Sequence, residues 1–170
     1  MEGGAPGMDN KKELFKGDNW ELPTDIDLVE PAEGAFARKL IKADWPESDI
    51  FDFQLAFHEA LANAIAHGNL GITKPEGSNE DIGEIAKREQ VAHPTKKKIY
   101  ISIDMKGKKV TVKIRDEGNG FKLKAVGDPT DSSHLFKTEG RGILFMRAYV
   151  DSVVYNKKGN EVTMMKERKE

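Results

Sequence analysis

Cysteine is absent from this sequence of 170 residues. Its absence excludes disulfide bonds, thiol nucleophiles and thiolate metal sites, and it is typical of a protein in a reducing compartment. The sequence also lacks an apolar run long enough to span a bilayer, and its first residues show neither the basic nor the apolar stretch of a secretory signal. These absences predict a cytoplasmic protein without a membrane partner.

An excess of charge of one sign is missing as well. The sequence has 27 lysines and arginines against 29 aspartates and glutamates, with a formal net charge of −2. Lysines gather at residues 96–98 and 106–109, but these stretches flank a predicted hairpin and contain no interleaved aromatic residues. We interpret them as solvated strand ends, and we therefore predict no nucleic-acid partner.

Hydrophobic residues make up 38% of the sequence, which is enough for one core, and the chain is short for two domains. The apolar positions predict one strand, two helices, and then four strands with a helix inserted among them. This order predicts an α+β fold, a two-layer α/β sandwich with a mainly antiparallel, mixed sheet that carries its helices on one face. We predict a single domain over residues 19–170, after a flexible segment at residues 1–18.

Two polar segments that contain glycine interrupt the predicted elements. Residues 70–97 form an insertion with at most a short helix near residues 80–90. Residues 127–138 form a polar loop flanked by glycines, of the kind that closes over a bound ligand. Large apolar residues are few in both segments.

A long helix predicted over residues 49–67 contains a sequence that begins like a zinc peptidase motif. That motif needs a second histidine four residues after His58, so that both imidazoles share one face of the helix. Ala62 occupies the required position, and the next histidine along the chain is His67. The zinc interpretation therefore fails.

The same helix places an acid and an amide side by side. Glu59 and Asn63 lie one turn apart, opposite the apolar stripe and among small residues. An ordinary solvent-exposed face is the alternative, although such a face more often carries several lysines and glutamates. We interpret His67 as a residue that interacts with the C-terminus of the helix, and Gly68 as the helix cap.

A first glycine motif follows a predicted strand. Asp116 stands at the end of the strand, with Gly118 and Gly120 two and four residues later. Glycines at this spacing let a flat ligand approach the backbone while the carboxylate accepts a hydrogen bond from an amine. An ordinary turn at the end of the strand is the alternative. A calcium loop does not fit, because the two glycines occupy positions that need oxygen ligands.

A second glycine motif, formed by Gly140, Arg141 and Gly142, opens a helix predicted over residues 141–149. Free backbone N–H groups at a helix N-terminus, together with small glycines and one arginine, suit a phosphate group. A flexible hinge is the alternative interpretation. A Walker phosphate loop is absent from the sequence.

Taken in order, these motifs resemble the three sequence boxes of the Bergerat-fold (GHKL) ATPases, the superfamily of gyrase and of histidine-kinase catalytic domains. HEALANAIAHGN at residues 58–69 resembles the N-box, DEGNGF the first glycine box and EGRGI the second. The C-terminal half resembles most closely the anti-sigma-factor serine/threonine protein kinases, the single-domain branch that acts in partner switching. The resemblance covers about residues 25–166.

The resemblance implies binding of ATP or ADP together with Mg²⁺. Glu59 would be the catalytic general base, and Asn63 would ligate the Mg²⁺ that bridges the phosphate oxygens. Asp116 would accept a hydrogen bond from the adenine amino group. These roles suit phosphoryl transfer, which depends on positioning and on neutralising charge more than on covalent chemistry by the protein.

The same resemblance implies roles for the two glycine boxes. Gly118 and Gly120 would let the nucleotide ring and the lid pack closely. Gly140, Arg141 and Gly142 would hold the phosphates. The lid itself would correspond to residues 121–140.

The resemblance also implies an activity and its partners. The protein would transfer the γ-phosphate of ATP to a serine or threonine of an anti-sigma-factor antagonist with a STAS domain. A sigma factor would be a second partner, and the protein would form a homodimer. One alternative is a nucleotide-dependent module that sequesters a sigma factor or another regulator without kinase activity. Another is a histidine-kinase catalytic domain, for which no dimerising helix with a phosphoacceptor histidine precedes the boxes.

Overall fold

The computed structural model describes residues 8–73, 78–120 and 138–168. Their predicted order of strand, two helices and four strands with one inserted helix is confirmed. In chain order the elements are α1 (Met8–Leu14), β1 (Asn19–Pro23), a 3₁₀ turn (Ile26–Leu28), α2 (Val29–Lys42), α3 (Glu47–Asn63), a π-helix (Ala64–Asn69), α4 (Ile82–Ala92), β2 (Lys98–Lys106), β3 (Lys109–Arg115), α5 (Thr138–Tyr149), β4 (Ser152–Tyr155) and β5 (Glu161–Glu167).

The strands form one five-stranded sheet in the order β1-β2-β3-β5-β4, and every neighbouring pair in it is antiparallel. β1 lies at an edge, where Pro23 does not interrupt a central ladder. Apolar residues occupy every second position, so that Ile101 pairs with Ile114 and Ile114 with Val162. These apolar side chains face the helices. The predicted α+β class is therefore confirmed.

Three phenylalanines join the two central helices beneath the sheet. The ring of Phe36 in α2 stacks on Phe57 of α3 at 4.8 Å and meets Phe53 edge-on at 4.9 Å. All three side chains are fully buried. Burial of each contributes roughly 1.5–3 kcal/mol. These contacts fix the core face of α3, and they thereby determine which of its residues face the opposite side.

Part of the N-terminal segment forms a helix. Residues 1–7 lie outside the described part of the chain, but Met8–Leu14 form a helix. The Phe15 ring then meets Trp20 edge-on at 5.1 Å, and the Trp20 indole donates to the Gly17 carbonyl. Phe15 packs against the core and is partly buried. The flexibility of residues 1–18 stays a prediction.

The insertion also packs on the domain. Its predicted short helix is present as α4, and Ala86 on this helix is fully buried. The Gln90 side chain accepts a hydrogen bond from the Ile26 backbone N–H at 2.9 Å and donates to the Asp25 carboxylate at 3.0 Å. In the described ranges, no helix is long and apolar enough to cross a membrane.

The last inserted helix begins earlier than the sequence predicts. α5 starts at Thr138, whereas the second glycine motif suggested a start near residue 141. Gly140 and Gly142 therefore lie inside the first turns, where glycine is tolerated because neighbouring contacts compensate for its low helix propensity. Of the predicted lid, residues 121–137 lie outside the described part of the chain.

Candidate functional site

A cavity of about 220 Å³ lies beneath the end of α3. Its walls come from α3, the π-helix, the end of β3, the β4–β5 turn and the start of α5. Asn63, Asp116 and Gly120 line it together with Tyr155 and Asn160. Residues of the N-box-like motif and of the first glycine motif therefore face one space. The cavity wall mixes apolar and polar groups, as is usual for small-molecule sites.

The end of the long helix differs from its prediction. After Asn63 the chain continues as a π-helix, in which the Leu70 N–H donates to the Ile65 carbonyl at 3.0 Å. Gly68 lies inside this π-helix and is not its cap. The helix ends before Gly71, whose positive φ of 63° suits glycine. π-helical turns are rare and occur frequently at functional sites.

His67 lies on the cavity wall. Its Nδ1 is 2.7 Å from the Ile72 carbonyl, a backbone group beyond the π-helix. Because a carbonyl oxygen only accepts, this distance assigns the ring proton to Nδ1. The predicted interaction with a backbone carbonyl is therefore present, but it joins His67 to the start of the insertion.

Glu59, Asn63 and Gly142 meet at one end of the site. The Asn63 amide donates to the Glu59 carboxylate across 3.4 Å, which is a long hydrogen bond. A β-carbon added to Gly142 would lie 2.9 Å from the Asn63 Nδ2 and 2.9 Å from the Glu59 Oε1. The absence of a side chain at Gly142 therefore leaves room for the ends of Asn63 and Glu59 where α5 packs on α3. Gly140 and Arg141 precede Gly142 in the same helix.

Asp116 lies at the other end, and its backbone is fixed before any ligand binds. Its N–H donates to the Asn160 carbonyl at 2.9 Å, and the Asn160 side-chain amide donates to the Asp116 carbonyl at 2.9 Å. The carboxylate Oδ1 accepts from the Gly118 N–H at 2.8 Å. Among the described residues, the second carboxylate oxygen has no hydrogen-bond donor.

Asp116 as a whole residue is 7% exposed. Its burial raises its pKa from the ordinary value of 3.8 to about 6, while the Gly118 N–H and the charges of Lys158 and Lys97 oppose the rise. An acceptor that is ionised near pH 7 but costly to ionise is typical of a functional carboxylate.

Tyr155 interacts electrostatically with both Glu59 and Asp116. Burial raises the pKa of its phenol well above the ordinary value, and the negative charges of Glu59 and Asp116 raise it further. Tyr155 also lines the cavity. The sequence analysis did not identify Tyr155, because a tyrosine in a short strand carries no motif.

Gly68 is a second site residue that sequence reasoning missed, since it was interpreted as a helix cap. A β-carbon there would lie 2.5 Å from Asp116 Oδ2 and 2.7 Å from Oδ1. Gly118 packs against the Gly68 carbonyl, and Gly120, with a φ of 73°, packs against the Lys158 carbonyl. The carboxylate thus sits in a space that only glycine at position 68 leaves open.

We expect Gly68→Ala to lower nucleotide affinity at least about tenfold and to destabilise the fold by about 1–3 kcal/mol, because the new methyl group displaces the Asp116 carboxylate. Isothermal titration and thermal unfolding measure the two effects. Gly34→Ala is the matched control, because its β-carbon would meet only the end of the Arg38 side chain at 3.4 Å. Equal effects of the two variants would contradict the assignment.

Comparison with known proteins supplies independent information. Residues 22–166 match the model of a family described as the histidine kinase-like ATPase domain. A similar solved structure is "The crystal structure of the RsbU and RsbW domains of Rv1364c from Mycobacterium tuberculosis", with 15% identity and a TM-score of 0.50. The match covers 90% of this chain and 32% of the other, so this chain spans about a third of that protein's length, and the likeness supports the fold alone. No curated protein matches the sequence.

Proposed function

This chain belongs to the histidine kinase-like ATPase family, and on that premise we propose that it is a serine/threonine protein kinase of partner switching. It binds ATP with Mg²⁺ and transfers the γ-phosphate to an anti-sigma-factor antagonist of the STAS type, and a sigma factor is its second partner. One observation carries the proposal. Glu59, Asn63 and Gly142 meet at one end of a site whose other end holds Asp116.

The two ends of the site suit the two ends of ATP. The free carboxylate oxygen of Asp116 accepts from the adenine amino group, because Oδ1 is engaged by the Gly118 N–H. The phosphates then extend toward Asn63 and the start of α5, where backbone N–H groups of the first helical turn favour negative charge.

Asn63 fits a magnesium ligand. Its Nδ2 turns to Glu59, which leaves Oδ1 without a hydrogen-bond partner among the described residues. Within the same residues, no group of three or more histidine, aspartate or glutamate side chains could hold a metal ion. Mg²⁺ keeps several waters and commonly uses one or two protein ligands plus phosphate oxygens. When bound, it neutralises the charge of the triphosphate.

Glu59 suits the role of general base. Within the described part of the chain its carboxylate accepts one hydrogen bond, the long one from Asn63, so it can take the proton of an incoming serine or threonine hydroxyl. As this O–H bond breaks, the hydroxyl oxygen forms a bond to the γ-phosphorus and ADP leaves. Asn63 donates to the carboxylate, and the absence of a side chain at Gly142 leaves room for it.

The direct test is phosphate transfer from radiolabelled ATP to a purified STAS-domain antagonist, followed by mapping of the labelled residue. We expect a phosphoserine or phosphothreonine whose formation depends on Mg²⁺. Label on histidine would support a histidine-kinase domain instead. ATP binding without transfer to any antagonist would reject the kinase proposal.

We expect Asn63→Ala to remove the dependence of ATP binding on Mg²⁺, because it deletes the amide oxygen proposed as the metal ligand. In the wild type, removing Mg²⁺ should weaken ATP binding, and in the variant the affinities with and without Mg²⁺ should coincide. Calorimetric titration with and without a chelator measures this. Gln54→Ala is the control, since it removes an amide from the same helix outside the cavity wall. A variant that still responds to Mg²⁺ would exclude Asn63 as the ligand.

A second function is favoured by one observation. Asn63 lines the cavity, but Glu59 does not. A nucleotide could therefore occupy the cavity in a module that captures a sigma factor in a nucleotide-dependent manner and has no kinase activity. Partner capture measured with ADP and with ATP, in wild type and Glu59→Ala, separates the two functions. If the substitution changes neither turnover nor release of the partner, the protein acts as a binding module and not as a kinase.

A further inference from the structure

The side chain of Asn69 is buried where three segments of the chain meet. Asn69 ends the π-helix and is 5% exposed, although its amide is polar. The proposed reaction assigns it no role, and it does not line the cavity. A buried amide is retained where its hydrogen bonds are satisfied.

Three of the four hydrogen-bonding positions of this amide, both N–H donors and one lone pair of the oxygen, have partners. Oδ1 accepts from the Glu117 N–H at 2.7 Å. Nδ2 donates to the Thr24 hydroxyl at 2.9 Å and to the Lys98 carbonyl at 3.0 Å. The Glu117 carboxylate in turn accepts from the Lys98 N–H at 2.9 Å. Asn69, Lys98 and Glu117 thus form a closed ring of hydrogen bonds.

The position of this ring in the chain gives it significance. Asn69 and Lys98 are the residues that flank the insertion at residues 70–97, and Glu117 directly follows Asp116. One side chain therefore joins both ends of the insertion to the turn that carries the cavity carboxylate. No periodicity in the sequence predicts this connection.

We propose that Asn69 is a positioning residue for recognition of the nucleobase, and that through it the base of the insertion determines where Asp116 lies. The inference rests on the proposed function, in which Asp116 binds the adenine amino group. Asn160 holds the backbone of Asp116 from the β5 side, and Asn69 holds the following peptide from the π-helix side. The second contact holds the backbone of the turn on the side of Gly68, where the carboxylate has no spare room.

Loss of Asn69 would release the Glu117 N–H and let the turn move away from Gly68. A hydrogen bond from adenine tolerates little displacement of its acceptor, so the preference for adenine should fall before the fold is lost. Thr24 provides a matched control. Thr24→Val removes a partner of the Asn69 Nδ2 and leaves the bond to Glu117 in place.

The experiment compares the ATP and GTP affinities of the full chain as wild type, Asn69→Ala and Thr24→Val, with thermal unfolding measured in parallel. We expect both variants to melt below the wild type. Only Asn69→Ala should reduce the ratio of ATP to GTP affinity, by about tenfold or more, the effect of one charge-assisted hydrogen bond. In the nucleotide-free protein, hydrogen exchange of the Glu117 amide should accelerate in Asn69→Ala and not in Thr24→Val.

The outcomes separate the inference from the proposed function. Wild-type protein that prefers ATP, with an Asn69→Ala variant that keeps the same preference, would overturn the inference alone. An equal loss of preference in Thr24→Val would overturn it as well, because the effect would then be one of general stability. Wild-type protein that binds neither nucleotide would overturn the proposed function and this inference together.

Discussion

Replacing Glu59 with glutamine should lower the rate of phosphate transfer by about 10²- to 10⁴-fold, the contribution of a positioned general base. ATP affinity should not change, because Glu59 lies outside the cavity wall and glutamine retains the oxygen that accepts from Asn63. Single-turnover transfer from labelled ATP measures the rate, and calorimetry measures the affinity. The separation of the two effects identifies an interaction made in the transition state.

Glu33→Gln is the matched control for this experiment. Glu33 lies on the neighbouring helix α2 and pairs with His58 at 2.7 Å, away from the cavity. The substitution removes the same charge from the same two-helix unit, so transfer should continue at the wild-type rate. If both variants lose transfer equally, the effect of Glu59 is one of net charge, and the base must be sought elsewhere.

Asp116→Asn should change which nucleotide the protein prefers. The Gly118 N–H requires an acceptor at Oδ1, so the asparagine amide nitrogen takes the place of Oδ2 and faces the cavity. A donor there opposes the amino group of adenine and can donate to the ring carbonyl of guanine. We expect the ratio of ATP to GTP affinity to fall by about 10²-fold, in keeping with charge-assisted hydrogen bonds. Parallel titrations with the two nucleotides measure it.

The same substitution should stabilise the nucleotide-free fold at pH 7. The pKa of Asp116 is raised to about 6 in the folded protein, from an ordinary value of 3.8. Two pKa units correspond to roughly 3 kcal/mol, and water in the cavity beside the carboxylate reduces this. We therefore expect Asp116→Asn to increase the free energy of unfolding by about 1–2 kcal/mol.

The pH dependence of stability provides a check on the sign. Below about pH 3.8 the carboxyl is neutral in both states and costs nothing. Between pH 3.8 and about 6 the folded protein holds a proton that the unfolded chain has lost, so this group's contribution to stability falls as the pH rises. The advantage of Asp116→Asn should therefore grow across this interval and level off above it. An advantage of Asp116→Asn that stays the same at every pH would contradict this prediction.

The chain by itself determined the fold class, and its motifs predicted which residues belong to the site. Alternating apolar residues predict strands wherever one face is buried, and this local rule placed β2 and β3 correctly. The N-box-like and glycine motifs contain Glu59, Asn63 and Asp116. The resemblance of these motifs to the family's sequence boxes predicted that the three residues belong to one site. Both kinds of information are local, because they depend on residues a few positions apart.

Tertiary structure alone decided how the motifs fit together. The π-helix replaces the expected helix cap, Gly68 makes room for the Asp116 carboxylate, and Asn69 joins the insertion to the following turn. The contacts of Gly68 with Asp116 and of Asn69 with Glu117 connect residues nearly fifty positions apart. A single glycine or a single amide carries no periodic signal in the sequence. Their identity is set by close packing and by the need of buried polar groups for partners, and both appear only when the chain has folded.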